Sequence, residues 1–245
     1  DLHSFPTRRS SDLVVGPLTE PYMREHGLAP NKFIHIPNGV DYEEWRNPEP
    51  LPEKMEKRLK EIRANGEFVV GYFGGHALSN NLRELIEVAT RLKERKIHFV
   101  LVGNGVEKKS LIELADERGL SNIDFFGPVP KKAIPTLVKF FDCGYVGAKA
   151  SPLYRFGICV NKVFDYMAGG LPIICAITVP SSQVSEAGCG ICVDSGSTDA
   201  VVDAVIEMSD NSPEKMKELG ERGKKAVREK YRYDILAKQF SELFE

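Results

Sequence analysis

The feature that most constrains the fold is a regular alternation of short apolar runs with amphipathic helical stretches, beginning near residue 67. Apolar runs with strand character recur at 68–73, 97–102, 122–126, 142–146, 171–175 and 190–193. Helical spacing fills the intervals, first from about 81 to 94. Continuously apolar strands joined by helices indicate a parallel sheet that is covered on both faces. The sequence therefore predicts an α/β domain with a doubly wound parallel sheet over residues 66–230, with its ligand at the carboxyl ends of the strands.

Composition excludes several classes of protein. Of 245 residues, 42% are hydrophobic and 28% are charged, which is typical of globular chains and not of disordered or fibrous ones. The 33 basic and 35 acidic side chains leave a net charge of −2, so no overall field attracts nucleic acid. The longest apolar stretch, 171–179, is about half the roughly 20 residues of a membrane-spanning helix. Five cysteines scattered through apolar runs favour reduced thiols in a cytoplasmic protein.

A loop between the second strand and the next helix resembles part of a dinucleotide-binding motif. Gly103-Asn-Gly105 stands at this point, and Asp124 lies about 20 residues further on, where such motifs place an acidic residue. Lys108 occupies the position of the third glycine. The incomplete motif disfavours a nicotinamide cofactor.

Other short motifs could mark a redox, phosphate or metal site. Cys189 and Cys192 have the spacing of a redox pair, but they lie in or beside a strand, and we interpret them as core thiols. The chain has no GxxxxGK[ST] phosphate loop, and it has no Asp-x-Asp pair of the kind that holds a divalent ion on a diphosphate.

The most informative segment is 151–172, SPLYRFGICVNKVFDYMAGGLP. Its part from Asn161 to Pro172 resembles the donor-site helix of glycosyltransferase family four, which has the GT-B fold. Further segments similar to that family follow in the family's order, at 36–41, 71–75, 102–105, 126–129 and 187–191. The resemblance extends from about Val14 to the C-terminus and is strongest to the branch that makes bacterial surface polysaccharides.

The resemblance implies an organisation for the whole chain. Residues 66–230 would be the nucleotide-sugar-binding domain, with 14–41 the remnant of an N-terminal acceptor domain that is otherwise missing. Residues 42–65 are rich in Pro, Glu and Lys, and we expect an exposed linker that contains a helix. Residues 231–245 would form a helix that packs toward the missing domain. Residues 1–13 show no periodicity and are expected to be non-native.

The resemblance also implies a function. The chain would be a fragment of a glycosyltransferase that moves a hexosyl or acetamidosugar residue from a nucleotide-diphosphate sugar to a polysaccharide or lipid-linked acceptor, with retention. No cofactor or metal is expected, and the location would be cytoplasmic or peripheral at the inner face of the membrane. Two alternatives remain open: a nucleotide-sugar epimerase of the same fold, and a noncatalytic nucleotide-sugar-binding subunit.

A site for a nucleotide sugar requires positive potential where the diphosphate leaves. It also requires hydrogen-bond acceptors for the two hydroxyl groups of the ribose. A helix N-terminus, backbone amides and Lys or Arg supply the first. Lys162 and Asp165 are three apart, so on a helix they share a face. The resemblance implies that Lys162 contacts phosphate and is the catalytic residue, while Asp165 accepts from ribose. The other expected donor-binding residues are Gly74, Gly75, Asn80, Arg155, Gly157 and Asn161, with Phe126 and Val129 near the nucleobase.

The chain departs from the family pattern at four positions. Gly157 and Asp165 stand in place of two spaced glutamates, and Gly75 and Asn80 stand where an arginine and a lysine are common. Lys162 and Arg155 would then supply the positive charge that balances the diphosphate. A surface ion pair is the alternative for Lys162 and Asp165. The basic run 222–232 is either a solvated helix face or a membrane-surface patch.

Overall fold

The computed structural model describes residues 12–14, 17–30 and 32–244. Most of the segment expected to be non-native, 1–11, lies outside the described residues. Asp12 and Leu13, which belong to that segment, begin a strand that pairs in parallel with residues 33–35.

The strands form two parallel sheets. In chain order they are β1 (Asp12–Val14), β2 (Phe33–His35), β3 (Phe68–Phe73), β4 (Ile97–Val102), β5 (Ile123–Phe126), β6 (Cys143–Gly147), β7 (Ile173–Ala176) and β8 (Gly190–Val193). The large sheet has the order β5-β4-β3-β6-β7-β8. This is the doubly wound order, and it reverses between β3 and β6, where such folds have their binding crevice. The predicted fold class is confirmed.

Helices connect the strands. They are α1 (Glu20–Glu25), α2 (Tyr42–Arg46), α3 (Glu53–Ala64), α4 (Leu82–Arg91), α5 (Lys108–Glu117), α6 (Ile134–Leu137), α7 (Asn161–Gly169), α8 (Gln183–Ala187), α9 (Thr198–Asp210), α10 (Pro213–Lys230) and α11 (Tyr233–Ser241). Short 3-10 turns occur at Leu78–Asn80, Lys131–Ala133, Val138–Phe140, Pro152–Phe156 and Glu242–Phe244. None of the helices in the described part of the chain is both long and apolar enough to cross a bilayer.

Two apolar clusters cover the two faces of the sheet, and the segment expected as an exposed linker contributes to one of them. Residues 42–65 contain two helices, and Met55, Leu59 and Ile62 of α3 are buried in the core. The three side chains recur at helical spacing, so one face of α3 packs on the sheet while its charged face remains in water. Residues 53–64 therefore belong to the domain rather than to a linker.

The end of the chain returns to the segment before the domain. Val40 N–H donates to Tyr231 O at 2.9 Å, and Tyr233 N–H donates to Val40 O at 3.2 Å. Gly39 permits this approach, because a Cβ there would lie 2.4 Å from Tyr231 O. The stretch that contains Gly39 and the start of α11 thus form one packed unit.

A buried charge cluster ties α3 to the sheet, away from the carboxyl ends of the strands. His98 of β4 is 1% exposed, and its Nε2 lies 2.7 Å from Asp124 Oδ2 while its Nδ1 lies 2.9 Å from Glu67 Oε2. Arg58 of α3 donates to the same Asp124 oxygen at 3.0 Å. Asp124 is therefore a structural partner of His98 and Arg58 and is not positioned to hold a ribose.

We expect Asp124→Asn to lower the free energy of unfolding near neutral pH by about 1–3 kcal/mol, since it weakens hydrogen bonds between charged groups in a half-buried position. Burial alone would raise the pKa of Asp124, but hydrogen bonds from His98 and Arg58 outweigh it and lower the pKa. The contribution of the charge is therefore complete above the pKa of an unfolded aspartate and is lost as the pH falls through the folded pKa. Urea titrations at several pH values should show the wild-type advantage shrinking in acid.

The matched control for this prediction is Asp199→Asn, because Asp199 pairs with Arg91 on the surface and its side chain is 87% exposed. This variant should leave the unfolding midpoint unchanged, since solvent-exposed ion pairs contribute little. Equal losses in the two variants would contradict a special role for the cluster around His98.

Candidate donor-binding site

Helix α7 is held against the sheet by one tyrosine that packs on glycine. Tyr166 is fully buried, and its hydroxyl lies 3.1 Å from Gly71 O and 3.3 Å from Tyr145 O. Its ring covers Gly144, where a Cβ would lie 2.7 Å from the ring atoms. The contact fixes the height and rotation of α7, so the N-terminus of the helix opens at the carboxyl ends of β3 and β6.

The loops after β3 and β4 interlock through glycines. A Cβ at Gly103 would lie 1.9 Å from Gly74 O, and Gly103 has a φ of +149°. His76 N–H donates to Asn104 O at 2.8 Å, and a Cβ at Gly105 would lie 2.5 Å from His76 O. The glycines of the incomplete dinucleotide motif thus let two loops approach each other.

Lys108 has a structural role that explains why it replaces the third glycine of that motif. Its ammonium group donates to Gly103 O at 2.8 Å and to Phe126 O at 2.6 Å. These carbonyls stand at the ends of β4 and β5, so one cation satisfies acceptors from two loops. Burial lowers the pKa of Lys108.

A pocket of about 530 Å³ opens at this edge of the sheet. Backbone from the loops after β3, β4 and β5 forms one side, and the first turns of α7 form the other. Its lining residues are Phe73, Gly74, Gly75, Val102, Gly103, Asn104, Pro128, Val129, Lys131, Ile134, Asn161, Lys162 and Asp165. The volume lies in the range of small-ligand sites, and apolar walls with a few polar groups are typical of them.

Lys162 is held over the loop after β3 by Tyr72. Its Nζ lies 4.5 Å from the centre of the Tyr72 ring and donates to the Tyr72 hydroxyl at 3.3 Å. The hydroxyl in turn donates to Gly75 O at 2.6 Å. A Cβ at Gly74 would lie 3.4 Å from Lys162 Nζ, so the lysine side chain occupies the space beside this glycine. Burial lowers the pKa of Lys162 to about 8.

Asp165 pairs with a lysine that the sequence did not single out. Its Oδ1 accepts from Lys131 Nζ at 2.5 Å, and the side chain is 5% exposed. Lys131 also lies 4.0 Å from Glu44 of α2. Burial raises the pKa of Asp165, and Lys131 opposes that shift. The alternative interpretation of these two residues, a surface ion pair of Lys162 with Asp165, does not apply, since Lys162 faces Tyr72 instead.

His76 lies behind the two site loops as a neutral side chain. It is fully buried, and neither ring nitrogen has a hydrogen-bond partner among the residues that the structure describes. Burial, reinforced by Lys108 and Lys162, lowers its pKa to about 4. A neutral ring at this position adds no further positive charge between the two lysines.

Six of the predicted site residues meet in the pocket and four do not. Those that line it are Gly74, Gly75, Val129, Asn161, Lys162 and Asp165. The four that do not line it have other contacts. Asn80 donates to Gly75 O at 2.7 Å, and Arg155 is exposed and stacks on Phe156.

Gly157 and Phe126, the other two predicted residues, contact other parts of the chain and do not line the pocket. Gly157 has a φ of +80°, and a Cβ there would lie 2.6 Å from Pro17. The Phe126 carbonyl accepts from Lys108.

Sequence reasoning missed Lys131 and Tyr72. A basic residue shortly after the third strand was a usable signal for Lys131, because the carboxyl ends of parallel strands meet at one edge. Tyr72 carried no such signal, since a tyrosine inside an apolar strand is typical of core. Across residues 12–14, 17–30 and 32–244, no group of three or more His, Cys, Asp or Glu side chains is arranged to hold a metal ion.

Comparison with known proteins identifies the family. Residues 53–226 match the family model described as glycosyl transferases group 1. WcaI of Escherichia coli (strain K12), whose name refers to glycosyl transfer in colanic acid biosynthesis, is 28% identical over 182 residues, which cover 73% of this chain and 44% of WcaI. The chain belongs to the glycosyl transferases group 1 family. It spans less than half the length of the curated relatives that it matches.

Solved structures show the same fold. A glycosyltransferase from Rickettsia africae ESF-5 superposes with a TM-score of 0.78 at 14% identity, covering 96% of this chain and 63% of that one. Anabaena HepE, solved in complex with UDP and glucose, gives a TM-score of 0.74 at 17% identity over the same shares of the two chains. The six-stranded sheet is thus the Rossmann-like fold of GT-B glycosyltransferase domains, as the resemblance implied.

We expect Gly103→Ala to lower the free energy of unfolding by about 1–3 kcal/mol, because the new methyl group meets Gly74 O in a backbone conformation that strains alanine. The control is Gly127→Ala, where a Cβ would meet nothing within 4 Å. Chemical denaturation of both variants measures the difference. Equal stability of the two variants would mean that the loops after β3 and β4 are not closely interlocked.

Proposed function

We propose that this chain is the nucleotide-sugar-binding part of a glycosyltransferase. The observation that carries the proposal is the pocket in which the Lys162 ammonium group, the backbone of Gly74 and Gly75, and the N-terminus of α7 converge at the switch point of the sheet. The reaction proposed for the whole protein is transfer of a hexosyl or acetamidosugar residue to a polysaccharide or lipid-linked acceptor, with retention. UDP is a suitable test ligand because HepE was solved with UDP and with UDP-glucose.

The proposed diphosphate position lies between α7 and the Gly74–Gly75 loop. The first N–H groups of a helix have no partner within it, and the aligned peptide dipoles make this end positive. Val160 precedes α7 and makes no side-chain cap, so a ligand can accept from these amides. Lys162 adds a formal charge, which stabilises negative charge as the diphosphate leaves. We therefore retain Lys162 as the proposed catalytic residue.

The proposed ribose position is at Asp165. An ionised carboxylate has about four acceptor positions, so the bond from Lys131 leaves room for a diol. Lys131 opposes the rise in the pKa of Asp165 that burial causes, and hydrogen bonds to a charged acceptor are the stronger kind. The base would then lie toward Pro128, Val129 and Ile134, which form the apolar wall.

Donor binding without a divalent metal is part of the proposal. Positive potential is already supplied by Lys162 and the start of α7, which takes the place of an ion bridging two phosphates. The family pattern also suggests that the leaving phosphate assists the acceptor, so no protein nucleophile is assigned. Asn80, Arg155, Gly157 and Phe126 are not retained as direct donor contacts, given the protein partners described above.

Lys162→Ala should weaken UDP binding by about 10- to 100-fold and leave uridine affinity unchanged, because only UDP carries the diphosphate that the ammonium group contacts. Isothermal titration calorimetry with both ligands measures this split. The control is Lys109→Ala, which removes a lysine whose side chain is 89% exposed. If Lys162→Ala lowered uridine and UDP affinity equally, or lowered neither, the diphosphate would have to bind elsewhere.

Asp165→Asn should instead weaken UDP and uridine binding by a similar factor, about 10-fold or more, because both ligands contain the ribose. Repeating the titration with 2′,3′-dideoxyuridine isolates the contact: this ligand should lose affinity for the wild type but bind the variant and the wild type alike.

Lys131→Met is the companion variant for Asp165, since it removes the ammonium group and keeps a similar length of side chain. If Asp165→Asn lowered the affinity for 2′,3′-dideoxyuridine as much as it lowered the affinity for uridine, Asp165 would act by shaping the pocket. The proposed hydrogen bond to the ribose would then be withdrawn.

A further inference from the structure

Two cysteines face each other on neighbouring strands at one side of the large sheet. β7 and β8 are parallel, and their register pairs Cys175 directly with Cys192. Paired residues of parallel strands project to the same face, and neighbouring strands lie about 4.7–4.9 Å apart. Disulfide-bonded cysteines have Cα atoms about 4.4–6.8 Å apart, so this register brings the two thiols within bonding reach.

The two thiols differ in accessibility and in acidity. Cys175 is 2% exposed, whereas Cys192 is exposed on the edge strand. Ser182 Oγ lies 3.5 Å from Cys192 Sγ. A hydrogen bond from the Cys175 thiol lowers the pKa of Cys192, while the same contact and burial raise the pKa of Cys175. Cys192 is thus the accessible and more acidic thiol, and Cys175 lies behind it.

The CxxC spacing of the sequence points to a different pair. Cys189 is fully buried before β8 begins, and its Sγ donates to Val184 O at 3.7 Å. Cys189 also precedes the register that joins β7 to β8, whereas Cys192 lies within it. The strand pairing therefore selects Cys175, which is remote in sequence, as the partner of Cys192.

We propose that Cys175 and Cys192 form a thiol–disulfide site that reacts with low-molecular-weight disulfides. The Cys192 thiolate attacks one sulfur of RS–SR, the S–S bond breaks, and RS⁻ leaves from a mixed disulfide. Cys175 then loses its proton to solvent and attacks Cys192 Sγ, which expels the second RS⁻. Two protein thiols are oxidised to one disulfide, and one RS–SR is reduced to two RSH after proton uptake.

The disulfide would link the edge strand β8 covalently to β7. β8 pairs with β7 alone in the large sheet, and its side chains are largely half-buried or exposed. A covalent bond across this pair restricts the unfolded chain and closes the short segment that contains α8. Oxidation should therefore raise the melting temperature of the whole chain by about 5 °C, and reduction should reverse it.

The experiment incubates the full chain with oxidised glutathione, alkylates the remaining thiols, and maps the peptides by mass spectrometry. We expect a peptide pair linked through Cys175 and Cys192, a mass lower by about 2 Da, and alkylation of the other three cysteines. Cys192→Ser, an exposed substitution, should abolish the link and the rise in melting temperature. Cys143→Ala is the matched control and should retain both.

Cys189→Ala separates the two possible partners, since it should leave the Cys175–Cys192 link intact. A link between Cys189 and Cys192 would overturn the proposal. It would also be overturned by a glutathione adduct on Cys192 that never resolves, or by five thiols that stay free. Differential alkylation of the wild type gives the answer even where a variant fails to fold.

Discussion

The close packing of α7 on the sheet is the constraint on which the candidate site depends. Tyr166 fits over Gly144 and bonds the β3 carbonyl of Gly71, so a larger side chain at Gly144 would push the helix outward. On its other side α7 meets α10, where a Cβ at Gly220 would lie 2.0 Å from Gly170 O. A helix clamped between two such surfaces presents its N-terminus at a fixed height. That height is what allows Lys162 to reach the glycine loop.

Lys131 and Lys162 line the pocket, Lys108 joins the loops beside it, and their partners give the three lysines different roles. Lys108 is bonded to two carbonyls, while Lys131 is paired with Asp165. Lys162 contacts a tyrosine, which is a weak partner for a half-buried cation. Because an incompletely compensated charge in a partly dry site attracts an anion most strongly, the proposed phosphate contact is assigned to Lys162.

The strands were predictable because a parallel strand buried on both faces must be apolar throughout. Phe68–Phe73, Ile97–Val102 and Gly190–Val193 begin and end where the sequence predicts, whereas α4 ends at Arg91, before the predicted 94. The charged residues that follow Arg91 are compatible with a continuing helix, so the sequence pattern does not show that the helix ends there. Lys131 and Asp165 lie in different strand-to-strand connections of the fold. The pairing of Cys175 with Cys192 depends on the register of β7 and β8. Neither can be derived from spacing along the chain.

The departures from the family pattern have a common physical consequence. Where an arginine and a lysine are usual, Gly75 and Asn80 leave no cation; instead Asn80 and Tyr72 both donate to the Gly75 carbonyl and fix that peptide. The loop thereby offers oriented backbone rather than flexible charge, which lowers the entropy lost on binding an anion. Formal charge is then concentrated on Lys162, whose pKa burial has lowered to about 8. A diphosphate bound next to that ammonium group, as proposed, would stabilise its protonated form, so anion binding and proton uptake at Lys162 would be linked.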